Sequence, residues 1–280
     1  LKIAMIGVPY NLDQLRVGMG AAPEALLAAG LQARIEGAGH TTQAELVMIP
    51  EGAAPRVERI GRLAAELAGA VERARAADQF PLILGGDCLV APGVLAGLGD
   101  APNTGIAWID AHGDFNTPDT TISGYLGGMP LACAVGRGLD EIRAACGLVP
   151  IVETNVALLD ARDLDPAEER ALATSGVRLV RGVSDGAAPE LRGAWEALGR
   201  LRQIYLHVDI DVLDQAVVAG VDFPTPGGLS VAELQSLVRQ VFALGNVAAM
   251  SLTAVNPAKD ADGRTVQAAL DVIGAALTQV

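Results

Sequence analysis

Short, nearly continuous apolar runs alternate along the chain with longer amphipathic runs rich in Ala and Leu. The apolar runs fall at 2–8, 81–85, 105–110, 155–160, 177–181, 203–209 and 247–253. Each is the length of a strand, and their lack of polar alternation suits a parallel sheet covered on both faces. The amphipathic runs predict helices near 21–29, 55–77, 89–98, 166–175, 187–200, 230–243 and 263–279. Strand–helix alternation over the whole length implies a three-layer α/β/α sandwich. No linker, repeat or low-complexity tract divides the chain, so residues 1–280 are expected to form one domain. The Gly/Pro-rich stretch 219–230, "AGVDFPTPGGLS", reads as a loop lining a site.

In such a sheet ligands gather at the carboxyl ends of the strands, and three of those ends carry unusual side chains. The run "GIAWI" leads directly into Asp110, His112 and Asp114. If the extended form persists, these three share one face, with Gly113 letting the backbone bend. Two carboxylates and an imidazole there make either a metal site or an acid–base site. In "LHVDIDVLD", Asp209 and Asp211 stand two apart after another apolar strand. Like charges so placed repel unless a cation lies between them. Asp214 reads as a capping group. In "LILGGDCLV", Gly85 and Gly86 allow close backbone approach, and Asp87 and Cys88 follow. Cys88 is open between a metal ligand and a buried small hydrophobe.

Together these residues suffice for two divalent cations with shared carboxylates. Oxygen donors favour Mn²⁺, whereas a thiolate pulls toward Zn, Fe or Co. Two such ions can hold a bridging hydroxide and polarise an electrophilic carbon, which implies metal-assisted hydrolysis.

The bulk composition limits the alternatives. The net charge of −13 argues against nucleic-acid binding and favours a cationic small molecule. No run has the length of a membrane helix, so no membrane partner is expected. The first residues lack the basic leader of a signal peptide. Three cysteines, Cys88, Cys133 and Cys146, without a metal-finger spacing suit a reduced cytoplasmic setting. His40 and His207 read as structural histidines, His207 lying one step deeper than Asp209 on the same face. Cys133, Cys146, Trp108 and Trp195 read as core residues, and Tyr125 as a residue of the substrate mouth.

The order of the motifs "IGVPYNLDQLRVGMGAAPEAL", "GGDC", "DAHGDFNTP", "SGYLGGMP", "DARDLDP", "HVDIDVLD" and "VNP" resembles the arginase/agmatinase (ureohydrolase) superfamily from end to end. The resemblance implies a parallel sheet of about eight strands and a dinuclear Mn²⁺ centre hydrolysing guanidino or amidino groups. It implies that Asp110 and Asp209 bridge the ions, that Cys88 and Asp114 complete one site, and that His112 and Asp211 complete the other. Asn116, Thr121, Ser123 and Asp165 fall where arginases read the α-amino and α-carboxylate groups, which favours an α-amino-acid substrate. Asp114 would relay the proton of the bridging hydroxide. A homo-oligomer would be in keeping with the superfamily.

Three positions depart from that pattern. Cys88 stands where the superfamily usually has His, Gly127 where arginases place a proton-shuttling His, and Ala254 where a Glu grips the guanidinium. The stretch "HGDFNTPDTTISGYLGGM" with Cys as ligand is closer to hydroxyarginine hydrolases of antibiotic biosynthesis, which also carry Gly at the shuttle position. The expected substrate is therefore arginine or an N-hydroxyarginine-type amino acid. The alternatives are a formimidoyl or ureido C–N substrate, or a degenerate non-catalytic arginase-like protein.

Overall fold

The computed structural model describes residues 1–50, 52–183 and 189–278. Its core is an eight-stranded, wholly parallel sheet. The strands are β1 (Lys2–Val8), β2 (Thr41–Leu46), β3 (Phe80–Gly85), β4 (Thr104–Ile109), β5 (Val156–Leu159), β6 (Arg178–Val180), β7 (Gln203–Asp209) and β8 (Val247–Thr253). Their spatial order is β2-β1-β3-β8-β7-β4-β5-β6. The last two strands in sequence are thus inserted between β3 and β4, so the carboxyl ends of β3, β8, β7 and β4 lie side by side. Ligands collect at such a break in strand order.

Alternation along each strand feeds two separate apolar layers. Ile3 and Met5 of β1, Ala107 and Ile109 of β4, and Leu206 and Val208 of β7 face one side. That side is covered by α1 (Ala22–Ala28), α2 (Leu31–Gly37), α8 (Pro189–Leu198), α9 (Val231–Phe242) and α10 (Arg264–Leu277). Ala4, Ile6 and Val8, Ile106 and Trp108, and Tyr205 face the other side. Covering it are α3 (Arg56–Ala76), α4 (Ala91–Leu98), α5 (Pro130–Ala134) and α7 (Pro166–Ala173). Helix α6 (Asp140–Cys146) joins through a smaller cluster around Ile60 and Ile142. Each Val, Leu or Ile side chain fully buried in these layers stabilises the fold by about 1.5–3 kcal/mol.

The seven strands expected from apolar runs are all present, with ends moved by one residue or less. The eighth, β2, is a polar edge strand, "TTQAEL", largely exposed on the flank of β1. An apolar-run criterion passes over it because an edge strand has little core to face. The short helices α2, α5 and α6 were likewise not indicated by the amphipathic pattern. Positions 187, 188 and 279 of the expected helices lie outside the described residues. Trp108 is fully buried, whereas Trp195 is half-buried and donates to Gln240 Oε1 at 3.1 Å. His40 is buried and donates through Nε2 to the Leu277 carbonyl at 3.0 Å. Cys133 is buried and Cys146 half-buried.

Candidate metal centre

The same local device ends three central strands. Asp87 Oδ1 accepts from Leu89 N (2.8 Å), Asp110 Oδ1 from His112 N (2.7 Å) and Asp209 Oδ1 from Asp211 N (2.8 Å). Each aspartate caps the backbone two residues on, a turn that Asp forms readily. The extended form expected through Asp114 therefore stops at Ile109. Asp114 reaches the site another way, with a left-handed backbone (φ 48°) and its carbonyl accepting from Leu131 N and Ala132 N, both at 3.0 Å. Gly113 is needed for close approach rather than for bending, since a methyl group there would lie 2.6 Å from the Glu168 carboxyl carbon. Gly86 behaves likewise, its Cα facing the Tyr10 and Gly20 backbone.

These turns bring the ionisable groups together. His112 Nδ1 lies 3.4 Å from Asp110 Oδ1 and 3.3 Å from Asp211 Oδ2. Cys88 Sγ donates to Asp209 Oδ2 at 3.0 Å. Two sets of donor atoms, Asp110–His112–Asp211 and Cys88–Asp110–His207, each fit within a 4.8 Å envelope and share Asp110. Asp114 Oδ2 and Asp211 Oδ1 are buried without any hydrogen-bond partner. An unpaired buried carboxylate oxygen is costly unless a proton or a cation meets it.

The electrostatics follow from burial without counter-charge. Burial, then the neighbouring carboxylates, push the Asp114 and Asp209 carboxyls and the Cys88 thiol well above their ordinary ranges. Asp211 is raised by burial and by Asp110. Burial also works against the Asp110 charge, yet hydrogen bonds from His112 outweigh it and hold that carboxyl low. His112 loses from burial but gains more from Asp211 and Asp110, which lift it to about 12. Such a cluster holds protons when metal-free and suits divalent ions.

The cluster forms the floor of a cavity of about 600 Å³. Among the described residues on its wall there is no lysine or arginine, and its ionisable groups other than Cys88, His112 and Tyr125 are carboxylates. Asn116 and Asp165 line it, joined by a 3.1 Å bond from Asn116 Nδ2 to Asp165 Oδ2. Ser123 also lines it, accepting from Tyr125 N at 3.1 Å. Thr121 does not reach the wall; its hydroxyl accepts from Gly124 N at 3.0 Å and stiffens the loop carrying Ser123. The stretch 219–230 supplies Asp222, Phe223, Pro224 and Thr225 to the wall, as its composition suggested. Asp214 clamps that stretch by accepting from Gly227 N and Gly228 N.

Several wall residues were not singled out from the sequence. Glu168 is buried, and its two oxygens accept from Phe115 N (2.8 Å) and Asp165 N (3.2 Å). It pins the Asp114 loop to the start of α7. The Asp165–Glu168 spacing, that of a capping box, was the available signal. Asp87, noted in the sequence only as the neighbour of Cys88, is buried against Leu12 N and Leu89 N, and burial raises it to about 6. Asp163 and Asp222 offered no pattern beyond their charge.

A profile of the Arginase family matches residues 1–278. The arginase of Bacillus caldovelox is 31% identical over 289 aligned residues, spanning 97% of this chain and 96% of that protein. The arginase of Bacillus subtilis (strain 168) is also 31% identical, over 97% of this chain and 96% of its own length. Among solved structures, arginase from Bacillus cereus superposes with a TM-score of 0.91 at 29% identity, covering 99% of this chain and 98% of the other. Arginase from Bacillus subtilis gives 0.89 at 30% identity with the same coverage.

Proposed function

The chain belongs to the Arginase family, and from that premise we propose that residues 1–280 form one catalytic domain hydrolysing a guanidino or amidino C–N bond. The substrate is an α-amino acid of the arginine or N-hydroxyarginine type. One observation supports this reading above the others: a cavity walled by carboxylates, without lysine or arginine among its described residues, whose floor holds buried and unpartnered oxygens of Asp114 and Asp211. A set of that chemistry fits divalent cations below and a cationic substrate above.

Cys88, Asp110, Asp114 and Asp209 would hold one divalent ion and Asp110, His112, Asp209 and Asp211 a second, with Mn²⁺ favoured by the oxygen donors. When bound, such a pair lowers the pKa of water and polarises the carbon under attack. The protein's own groups do the rest. Asp114, through the carboxylate oxygen that the ion leaves free, takes the proton of the attacking water and delivers it to the departing amine. Asp165, already fixed by Asn116 Nδ2, meets the substrate's ammonium group. The Ser123 hydroxyl and the Asn116 amide meet its carboxylate, while Thr121 acts only by holding the Ser123 loop. The rings of Tyr125 and Phe223, 5.2 Å apart, flank the cavity.

Ala254 favours a second reading. Its methyl group lines the cavity and offers nothing to grip a guanidinium, so a formimidoyl or ureido substrate fits that wall equally well. A non-catalytic role is less consistent with the site, because a silent fold gains nothing from so many buried acids.

Incubating the Mn²⁺-loaded protein with arginine, N-hydroxyarginine, agmatine, guanidinobutyrate and formimidoylglutamate tests the proposal. Product release from arginine or N-hydroxyarginine well above that from agmatine supports it. Turnover of formimidoylglutamate alone replaces it with the second reading, and no turnover of any compound by metal-replete protein removes it.

A further inference from the structure

His207 sits in the middle of β7 and is fully buried. Its imidazole stacks on Trp108, its register partner in β4, with centroids 3.7 Å apart. The same Trp108 donates through Nε1 to Asp110 Oδ2 at 2.9 Å. One shared ring therefore fixes both the imidazole and the carboxylate beside it.

The two nitrogens of His207 have unequal surroundings. Nδ1 lies 2.9 Å from Tyr205 Oη and 2.8 Å from Ser251 Oγ, and those hydroxyls are 2.6 Å apart. Nε2 has only Thr253 Oγ1, at 3.5 Å, the limit of a hydrogen bond. Thr253 Oγ1 in turn lies 3.4 Å from Cys88 Sγ. A buried imidazole with one nitrogen anchored by neutral groups and the other barely engaged has the outer-shell arrangement of a metal-ligating histidine. Its donor atom, Cys88 Sγ and an Asp110 oxygen lie within 4.8 Å of one another. Donors bound to one ion at about 2.0–2.3 Å lie roughly 3–4 Å apart, which that envelope contains.

We propose that His207 is a metal ligand, its Nε2 completing a thiolate–imidazole–carboxylate site with Cys88 and Asp110 just beneath the cavity floor. The inference rests on the metal-centre reading above and deepens it, because His207 lies outside the ligand set assigned there. The deep site has sulfur, nitrogen and oxygen donors, whereas the one around His112 has a single imidazole among carboxylates. The two ends therefore differ in preference: the deep site takes Zn²⁺ or Co²⁺ ahead of Mn²⁺.

Diffraction from crystals soaked in Zn²⁺, with the anomalous signal of the ion, tests this directly. An ion about 2.0–2.1 Å from His207 Nε2 is the expected result. Two bound ions with Nε2 beyond about 3 Å of both would overturn the inference and leave the metal centre standing. No bound ion would overturn both. Titration with Co²⁺ gives a second readout that does not depend on turnover. The wild-type protein should show thiolate-to-cobalt charge transfer, lost in Cys88→Ser. His207→Gln should keep that band but shift the ligand-field bands and weaken Co²⁺ binding at least tenfold. An unchanged cobalt spectrum and affinity in a folded His207→Gln protein would assign His207 to packing alone. Should that variant not fold, the crystals of the unaltered protein still decide.

Discussion

The ring of Tyr125 fills the space that a side chain on Gly127 would need. A methyl group on residue 127 would lie 2.7 Å from the Tyr125 hydroxyl oxygen and 2.5 Å from its ring carbon Cζ. The group two residues upstream has thus taken over the part of the cavity that resemblance to arginases assigns to a histidine. Burial and the surrounding Asp87, Cys88 and Asp114 raise the Tyr125 phenol, so it lines the cavity as a neutral donor.

Gly127→Ala should therefore act by displacing Tyr125. Each of Gly127→Ala and Tyr125→Ala is expected to lower kcat/KM at least tenfold. The double variant should be no worse than the poorer single one, because both remove the same contact. Steady-state kinetics on the four proteins checks this; additive losses would mean that the two residues act separately.

Ala254 is strained as well as permissive. It has φ 68° at the end of β8, held by its N–H donating to the Gly86 carbonyl at 2.9 Å. Relief of a left-handed alanine is worth about 1 kcal/mol, so Ala254→Gly should raise stability by that amount in urea unfolding. Ala254→Glu keeps the strain but adds a carboxylate to the wall. It should lower KM for guanidinium substrates about tenfold and leave KM for uncharged ureido compounds unchanged.

Sheet, layers and the central acid cluster were legible because each rests on a short-range signal. Uninterrupted apolar runs marked the inner strands, and aspartates two apart marked where those runs stop. The signals failed where tertiary context decides. Edge strand β2 has no apolar run, and α5 is too short for an amphipathic period. Alternation placed Asp110, His112 and Asp114 on one face, but the chain turns after Ile109: a cap joins Asp110 to His112, and a left-handed backbone returns Asp114 to them. Thr121, expected at the substrate, accepts from Gly124 N in the loop that carries Ser123, a contact that alternation along the chain does not signal. His207 was correctly expected in the core, yet its nearness to Cys88 depends on the pairing of strands far apart in sequence.

Glu168→Gln tests the brace between the Asp114 loop and α7. Glutamine has one acceptor where glutamate offers two, so its amide would confront either Phe115 N or Asp165 N. A buried donor left unsatisfied costs about 1–3 kcal/mol, and urea unfolding should report a loss of that size. A change near zero would mean that solvent satisfies both amides.

Metal loading should release protons. With burial raising Cys88, Asp114 and Asp209, and carboxylates raising His112 to about 12, the metal-free cluster binds protons at neutral pH. Ligands must lose those protons to bind a cation. Affinity should consequently strengthen as pH rises from about 6 to 8 and weaken as it falls. Calorimetry in two buffers of different ionisation enthalpy should show at least one proton released per ion; equal heats in both would contradict the shifts.

Asp110 is the residue common to both donor sets, which makes it the sharpest point of attack. Metal content of protein equilibrated with Mn²⁺ and freed of excess ion, measured by mass spectrometry for the wild type and for folded Asp110→Asn, tests the account most directly. Two ions per wild-type chain and fewer than one in the variant is the predicted result. A folded wild-type chain that retains less than one ion, or a variant that retains both, would contradict it.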